Sequence, residues 1–424
     1  MKTLRLLLSG LLICGLAFSI GCGRKETVTE DGRKIIRFWQ FWTEPRVKAV
    51  ITKAIEEFEA QNPLYKVEVT DLTWDNGYQK IVAAFATDNV PDLIELGSDW
   101  IAEFADRGAL LQMTDECMRL RESMAGWPSA IYQDNCYALP WYLSTRVFYQ
   151  NDEAAALVYG SARPQPFVWS QLLQNIKDAT LEKPKMWGFG VNAAEPHRLY
   201  KRFLPFLWAA GGDVLTEDMS VCALETEAGR EALQFVVNMS QHQYVDKQSA
   251  LDDMFMDGKL MYHFSGDWLY ERIKRAGISL KFSAFIMPFP GPNKGSQAGF
   301  AGGEYLAVPR KAAEPVAALN LARHLLQPKH IFNLCIATGC ATPVHAEVAQ
   351  NPYFIEDSVR SVFIQQLAYS KSPPAHPRWV EIEAAIERGV EKALFQKVAV
   401  DQVLAEMCGE INAIIQEYEK QKAQ

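Results

Sequence analysis

The residues of this chain with the most chemistry to offer are aromatic rings set beside carboxylates, hydroxyls and a guanidinium. They are Trp42 with Glu44, then Asp75, then Ser98-Asp99-Trp100, then Trp141-Tyr142 with Arg146, then Trp208, Asp267-Trp268 and Glu304-Tyr305. A flat ring covers the apolar C–H face of a solute, while planar carboxylates, amides and guanidiniums meet paired hydroxyls at its edge. This is recognition chemistry for a small hydroxylated solute. Each group also has a plainer reading. Trp39 and Trp74 lie in or beside strand residues and suit a core. Asp75, before Asn-Gly-Tyr, suits a helix N-cap. Arg146 and Glu304 suit an ion pair between two parts of the fold.

Bond-breaking chemistry finds little support. The sequence has no GxSxG elbow, HExxH pair or phosphate-binding loop. A glycosidase would need two carboxylates about 5 to 10 Å apart; the many Asp and Glu leave that open, but no nucleophile–base pair stands out. His197, His242, His263, His324, His330, His345 and His376 show no metal-ligand spacing. Only His263, in His263-Phe264-Ser265, falls near the expected site. No metal, cofactor or catalytic residue is expected. Beyond Cys14 and Cys22 come Cys117, Cys136, Cys222, Cys335, Cys340 and Cys408. Outside the cytoplasm these can pair, in a pattern the sequence leaves open, or stay as buried thiols. Cys117 with Cys136 and Cys335 with Cys340 are the closest in sequence, and no CxxC occurs.

The elements that must position these residues alternate. Lys34–Trp39 reads as a strand, and Arg46–Gln61 as a helix with Val47, Val50, Ile51, Ala54, Ile55 and Phe58 on one face. Asn62-Pro63 stops it. Tyr65–Leu72 is a second strand, Tyr78–Thr87 a helix, and Asp92–Leu96 a third strand. That order predicts an α/β fold with a parallel sheet, whose ligands bind in the loops at the carboxyl ends of its strands. Further helices are predicted at Trp169–Ala179, Thr226–Gln241, Leu251–Asp257, Pro315–Leu326, Pro328–Thr338 and Val400–Glu419, with a strand at Lys259–Phe264. Met287–Gly303 is the one long Pro/Gly-rich loop. At 424 residues the chain exceeds what a single core usually organises, so two lobes are expected. The formal charge of −8 argues against nucleic acid and anionic lipid as partners and is compatible with a neutral solute.

At the N-terminus, Lys2 and Arg5 precede an apolar run, Leu6–Ile20, that is too short for a bilayer span of about 20 residues and has the length of a secretory h-region. It ends in Ser19-Ile20-Gly21-Cys22-Gly23, which resembles a bacterial lipobox, with Ser19 where Leu is usual. The resemblance implies a signal peptide over 1–21, acylation of Cys22, and a tether over 22–33. The protein would then be exported and lipid-anchored on the periplasmic or cell-surface face of a membrane.

Several segments, in order, resemble the extracellular solute-binding family that includes the maltose-binding protein. They are Thr73-Trp74-Asp75 with Tyr78-Gln79-Lys80-Ile81; Val90-Pro91-Asp92-Leu93-Ile94 with Gly97, Trp100 and Arg107-Gly108-Ala109-Leu110; and Asn135–Pro140 through Phe148–Asn151. Trp169–Leu173, Trp208 with Gly211-Gly212, Phe255–Lys259 with Gly266-Asp267-Trp268, and Gly302-Gly303 with Pro309 continue the series to about residue 345. The resemblance implies a two-lobed periplasmic-binding-protein fold of type II. Its lobes would be 34–142 with 303–345, and 143–302 with 346–424, joined by a multi-segment hinge. It further implies a monomeric, non-enzymatic receptor that hands a sugar or short oligosaccharide to the permease of an ABC importer. A polyamine, glycerol phosphate, iron chelate or peptide receptor of the same fold is the alternative, and a glycoside-active enzyme a weaker one.

Overall fold

The computed structural model describes residues 28–161, 165–182 and 186–424. The expected leader, Cys22 and the rest of the tether up to residue 27 lie outside these residues. The first sheet runs in the order Tyr65–Asp71, Lys34–Gln40, Leu93–Gly97, Ala301–Ala307, Leu139–Thr145. Its first three strands are parallel, as the alternating pattern requires, and Ala301–Ala307 is antiparallel to both its neighbours. Helix Pro45–Gln61 links the first two strands, opening on proline and burying Val47, Ile51, Ala54, Ile55 and Phe58 along one stripe.

The second sheet has the order Phe282–Phe285, Val147–Asn151, Leu260–Ser265, Trp187–Asn192, Gln243–Asp246. Successive side chains of Val147–Asn151 face opposite ways. Phe148 enters a core with Phe203, Phe264, Trp379 and Ile411, while Val147 and Tyr149 enter another with Leu251, Phe255 and Phe363. The sheet is thus covered on both faces. The first sheet has its own core, which includes Phe38, Leu96, Leu139, Leu306 and Leu321. A single residue, Arg146, separates the last strand of the first sheet from Val147–Asn151 of the second.

Two disulfides form, Cys117–Cys136 and Cys222–Cys408, while Cys335 and Cys340 are buried free thiols. Proximity in sequence therefore identifies one pair and misleads on the other. Cys408 lies on the long helix Val400–Lys422, which packs beside Cys222 in the core of the second sheet. Because Cys222–Cys408 spans 186 residues, replacing both with serine is expected to lower the unfolding free energy by about 2–5 kcal/mol. Urea unfolding under non-reducing conditions checks this; an unshifted midpoint would contradict it.

Candidate functional site

The loops leaving the parallel strands of the first sheet carry an aromatic shelf. Phe41, just past Gln40, stacks on Trp74 with ring centroids 4.3 Å apart, and Trp100 lies 5.7 Å from Trp74. The stack requires Gly77, because a Cβ there would sit 2.3 Å from the Phe41 ring. Trp74 is 44% exposed, so it lies on the surface of the shelf and not in the core that its strand-side position suggests. Trp42 meets Tyr142 edge-on at 5.0 Å, and its indole Nε1 is closed off from water without a partner.

Ser98 and Asp99 follow the third parallel strand. Asp99 accepts from Ser98 at 3.0 Å, and also from the Tyr200 hydroxyl at 2.7 Å and Lys201 Nζ at 3.2 Å. Tyr200 and Lys201 open helix Tyr200–Ala209, which packs in the second sheet's core, so Asp99 is a contact between the two halves. Burial alone would raise its pKa; Lys201, Tyr200 and Ser98 outweigh burial and hold the carboxyl below its ordinary value. Glu304 lies opposite Gly97 and Tyr142 in the ladder. Its Oε2 is closed off from water and unpartnered. Burial lifts its pKa to about 8, with Asp267 and Asp99 pushing the same way against Lys201, so the acid is mostly protonated at neutral pH.

From the second sheet, strand Leu260–Ser265 leads into Gly266-Asp267-Trp268. Asp267 begins helix Asp267–Ala276 and is not in a loop. It accepts from the Ala341 amide at 2.8 Å and the Tyr142 hydroxyl at 3.4 Å, and burial raises its pKa to about 6. The Trp268 ring lies against Gly266, where a Cβ would come within 1.9 Å of it. Its Nε1 donates to Asp252 at 3.1 Å. Asp252 also accepts from Ser265 at 3.1 Å and is bonded to His263 Nε2 at 2.8 Å, which is where His263 belongs: it helps seat the carboxylate that aims Trp268. Arg146 lies 5.5 Å from the Trp268 ring and 5.3 Å from that of Phe300.

Of the expected residues, then, Trp42, Ser98, Trp100, Tyr142, Arg146, Asp267, Trp268 and Glu304 converge between the strand ends of the two sheets. Three others are taken up by the cores. Trp141 is 2% exposed and packs on Phe38; Trp208, equally buried, donates to Asp213 at 3.2 Å; Tyr305 donates to the Gly126 carbonyl at 2.7 Å. Glu44 is an exposed rim residue, 3.4 Å from Arg275. Asp75 is exposed beside Trp74 and does not cap its helix, whose N-cap residue is Asn76. Arg146 and Glu304 form no ion pair with each other. Phe41, Tyr200, Lys201, Asp252 and Phe300 are additions. The run Arg198-Leu-Tyr-Lys-Arg202 was the available signal for two of them, but it becomes readable only once Trp187–Asn192 is known to be the preceding strand. The histidine spacing also hides one grouping. Glu57, His324 and His330 have ligand-type atoms within 4.8 Å of one another, among helices of the first half, with Glu57 ion-paired to Lys329.

The profile of the bacterial extracellular solute-binding protein family matches residues 53–359, and the chain belongs to that family. Over 422 residues it is 24% identical to a Brucella abortus (strain 2308) protein named as a binding protein, covering 96% of this chain and 97% of that one. It is 26% identical over 171 residues, 39% of this chain and 38% of the other, to an uncharacterized lipoprotein of Streptomyces antibioticus. Among solved structures it resembles a Thermotoga lettingae ABC-transporter solute-binding protein bound to alpha-D-tagatose (TM-score 0.79, 22% identity, 90% of this chain, all of that one). It also resembles the Xanthomonas citri sugar-binding protein MalE (0.79, 21%, 92% and 100%). A third is Mycobacterium tuberculosis UgpB with glycerophosphocholine (0.77, 21%, 92% and 100%). The two-lobed fold expected from sequence is therefore the fold found, in a family of binding proteins rather than enzymes.

Asp99→Asn removes the charge that Lys201 and Tyr200 grip. Without ligand, this variant is expected to have a larger radius of gyration by small-angle scattering, through separation of the two halves. An unchanged scattering curve would mean that the halves are held elsewhere.

Proposed function

We propose that the chain captures a sugar or short oligosaccharide between its two lobes and delivers it to the permease of an ABC importer. One lobe is built on the first sheet, with crossings at Arg146 and just before Ala301, and the other on the second. The observation that carries this reading is a set of unpartnered polar atoms, Trp42 Nε1, Arg146 Nε and Glu304 Oε2, beside the faces of Trp268 and the Phe41–Trp74–Trp100 shelf. A buried polar atom left without a partner costs about 1–3 kcal/mol, and a solute bearing hydroxyls on an apolar ring answers both features at once. Closing the lobes over it gives the closed state its advantage in affinity. The tagatose and MalE neighbours support the sugar class by analogy of fold. A polyamine fits less well: Asp99 is already held by Lys201 and Asp267 by a backbone amide.

Export with acylation at Cys22 completes the proposal, in keeping with the Streptomyces relative named as a lipoprotein. The membrane is met only through that anchor, and the receptor works as a monomer. In cells fed labelled palmitate, Cys22→Ser is expected to abolish incorporation into the protein; retained label would refute the anchor. Trp268→Ala is expected to weaken binding of the best saccharide in a thermal-shift panel by about tenfold or more, with near-native circular dichroism. If a polyamine and no saccharide raises the melting temperature of the unaltered protein, the sugar assignment fails.

A further inference from the structure

Two of the cations around the cleft stand without an ion pair among the described residues. Four cations influence one another there: Arg146, Arg198, Lys201 and Arg202, drawn from the joint between the sheets and from the turn that opens helix Tyr200–Ala209. Two are occupied. Lys201 pairs with Asp99 at 3.2 Å, and Arg202 donates to the Phe264 carbonyl at 2.5 Å and to Gln248. The other two have no carboxylate or carbonyl partner among the described residues. Arg146 keeps an unpartnered, water-excluded Nε and lies against the rings of Trp268 and Phe300. Arg198 lies half-buried in the loop after strand Trp187–Asn192.

The acids nearby are committed elsewhere: Asp252 to His263 and Arg272, Glu195 to Asn192 and the Gln248 amide, and Glu383 to His197. Asp99 is used by Lys201 and Tyr200, and Asp267 takes the Ala341 amide and the Tyr142 hydroxyl. Glu304, with its pKa near 8, is mostly neutral at pH 7 and can donate a hydrogen bond. Arg146 and Arg198 are thus left without a paired carboxylate, among the described residues, in a region where the acids already have other partners or are neutral. Burying like charges without counter-ions is costly, and an enclosed guanidinium is well matched to planar or tetrahedral oxyanions.

We infer that the solute is an acidic saccharide, whose carboxylate or phosphate is received by Arg146 and Arg198 while its ring lies against Trp268. This rests on the sugar reading above and narrows it. In such a complex Arg146 would donate through its orphaned Nε, and the anion would pair a guanidinium that no carboxylate among the described residues bonds directly.

The test is calorimetry on the whole protein with matched pairs: glucuronate and galacturonate, and their dimers, against glucose, galactose and their dimers. Glucose 6-phosphate separates phosphate from carboxylate as the anion. An acidic sugar is expected to bind about tenfold or more tighter than its neutral partner. Its affinity should fall several-fold between about 50 and about 500 mM NaCl, while neutral-sugar binding should not. Arg146→Gln should remove most of that preference. Arg198→Gln, at a half-buried loop position without an ion pair among the described residues, should reduce it as well, with near-native circular dichroism. If a neutral sugar binds as tightly as its acidic counterpart, or if both variants keep the preference, the acidic-ligand inference is wrong and the sugar reading stands. If no saccharide of either kind binds and a polyamine does, the sugar reading itself has failed.

Discussion

The two sheets are joined by the shortest link a chain can make between strands. Thr145 is held in the first sheet opposite Ala301, and Val147 in the second opposite Ser265. Arg146 alone lies between them, so its backbone is fixed from both sides. Its side chain has little choice but to lie where the two halves meet. Burial and the nearby Arg198 lower its pKa to about 10, which leaves the guanidinium charged at any physiological pH. A permanent charge built into the joint constrains everything around it. The flanking rings of Trp268 and Phe300 screen it from water, and nearby acids must either serve other partners or go uncharged.

The same logic extends outward. Trp268 is aimed by Asp252, which is itself seated by His263 and Ser265 and approached by Arg272 at 3.3 Å. Gly266 leaves room for the ring. On the facing side Glu95, wholly buried beneath Phe41, accepts the Phe41 amide at 2.7 Å and so sets where the shelf begins. Both aromatic surfaces are therefore held by buried carboxylates one layer behind them, which is how a binding surface stays rigid when empty.

Much of this framework was readable in the sequence because it rests on short-range signals. The helix Pro45–Gln61 and the strands on either side of it follow from apolar period and from Asn62-Pro63. Helix Tyr200–Ala209 was missed because Pro205 stands inside it, where a proline argues against a helix. Strand Trp187–Asn192, with glycines at 188 and 190, likewise lacks strand composition. The cleft residues behind these two elements were lost with them. The tryptophans show the other limit. Trp74 falls in the loop after Tyr65–Asp71 and is exposed, whereas Trp141 falls inside strand Leu139–Thr145, which the alternating pattern did not delimit, and is buried against Phe38. Pairing of Cys222 with Cys408 is of the same kind, decided by how the last helix docks.

The placement of the two disulfides has a mechanical consequence. Cys117 and Cys136 lie in the core of the first sheet, Cys222 and Cys408 in that of the second, and neither bond joins one core to the other. Disulfide formation therefore stiffens each half as a separate block and puts no covalent strut between the two cores. Disulfide formation within each half and the angle between the halves are independent variables in this architecture, with neither bond to lock the one to the other.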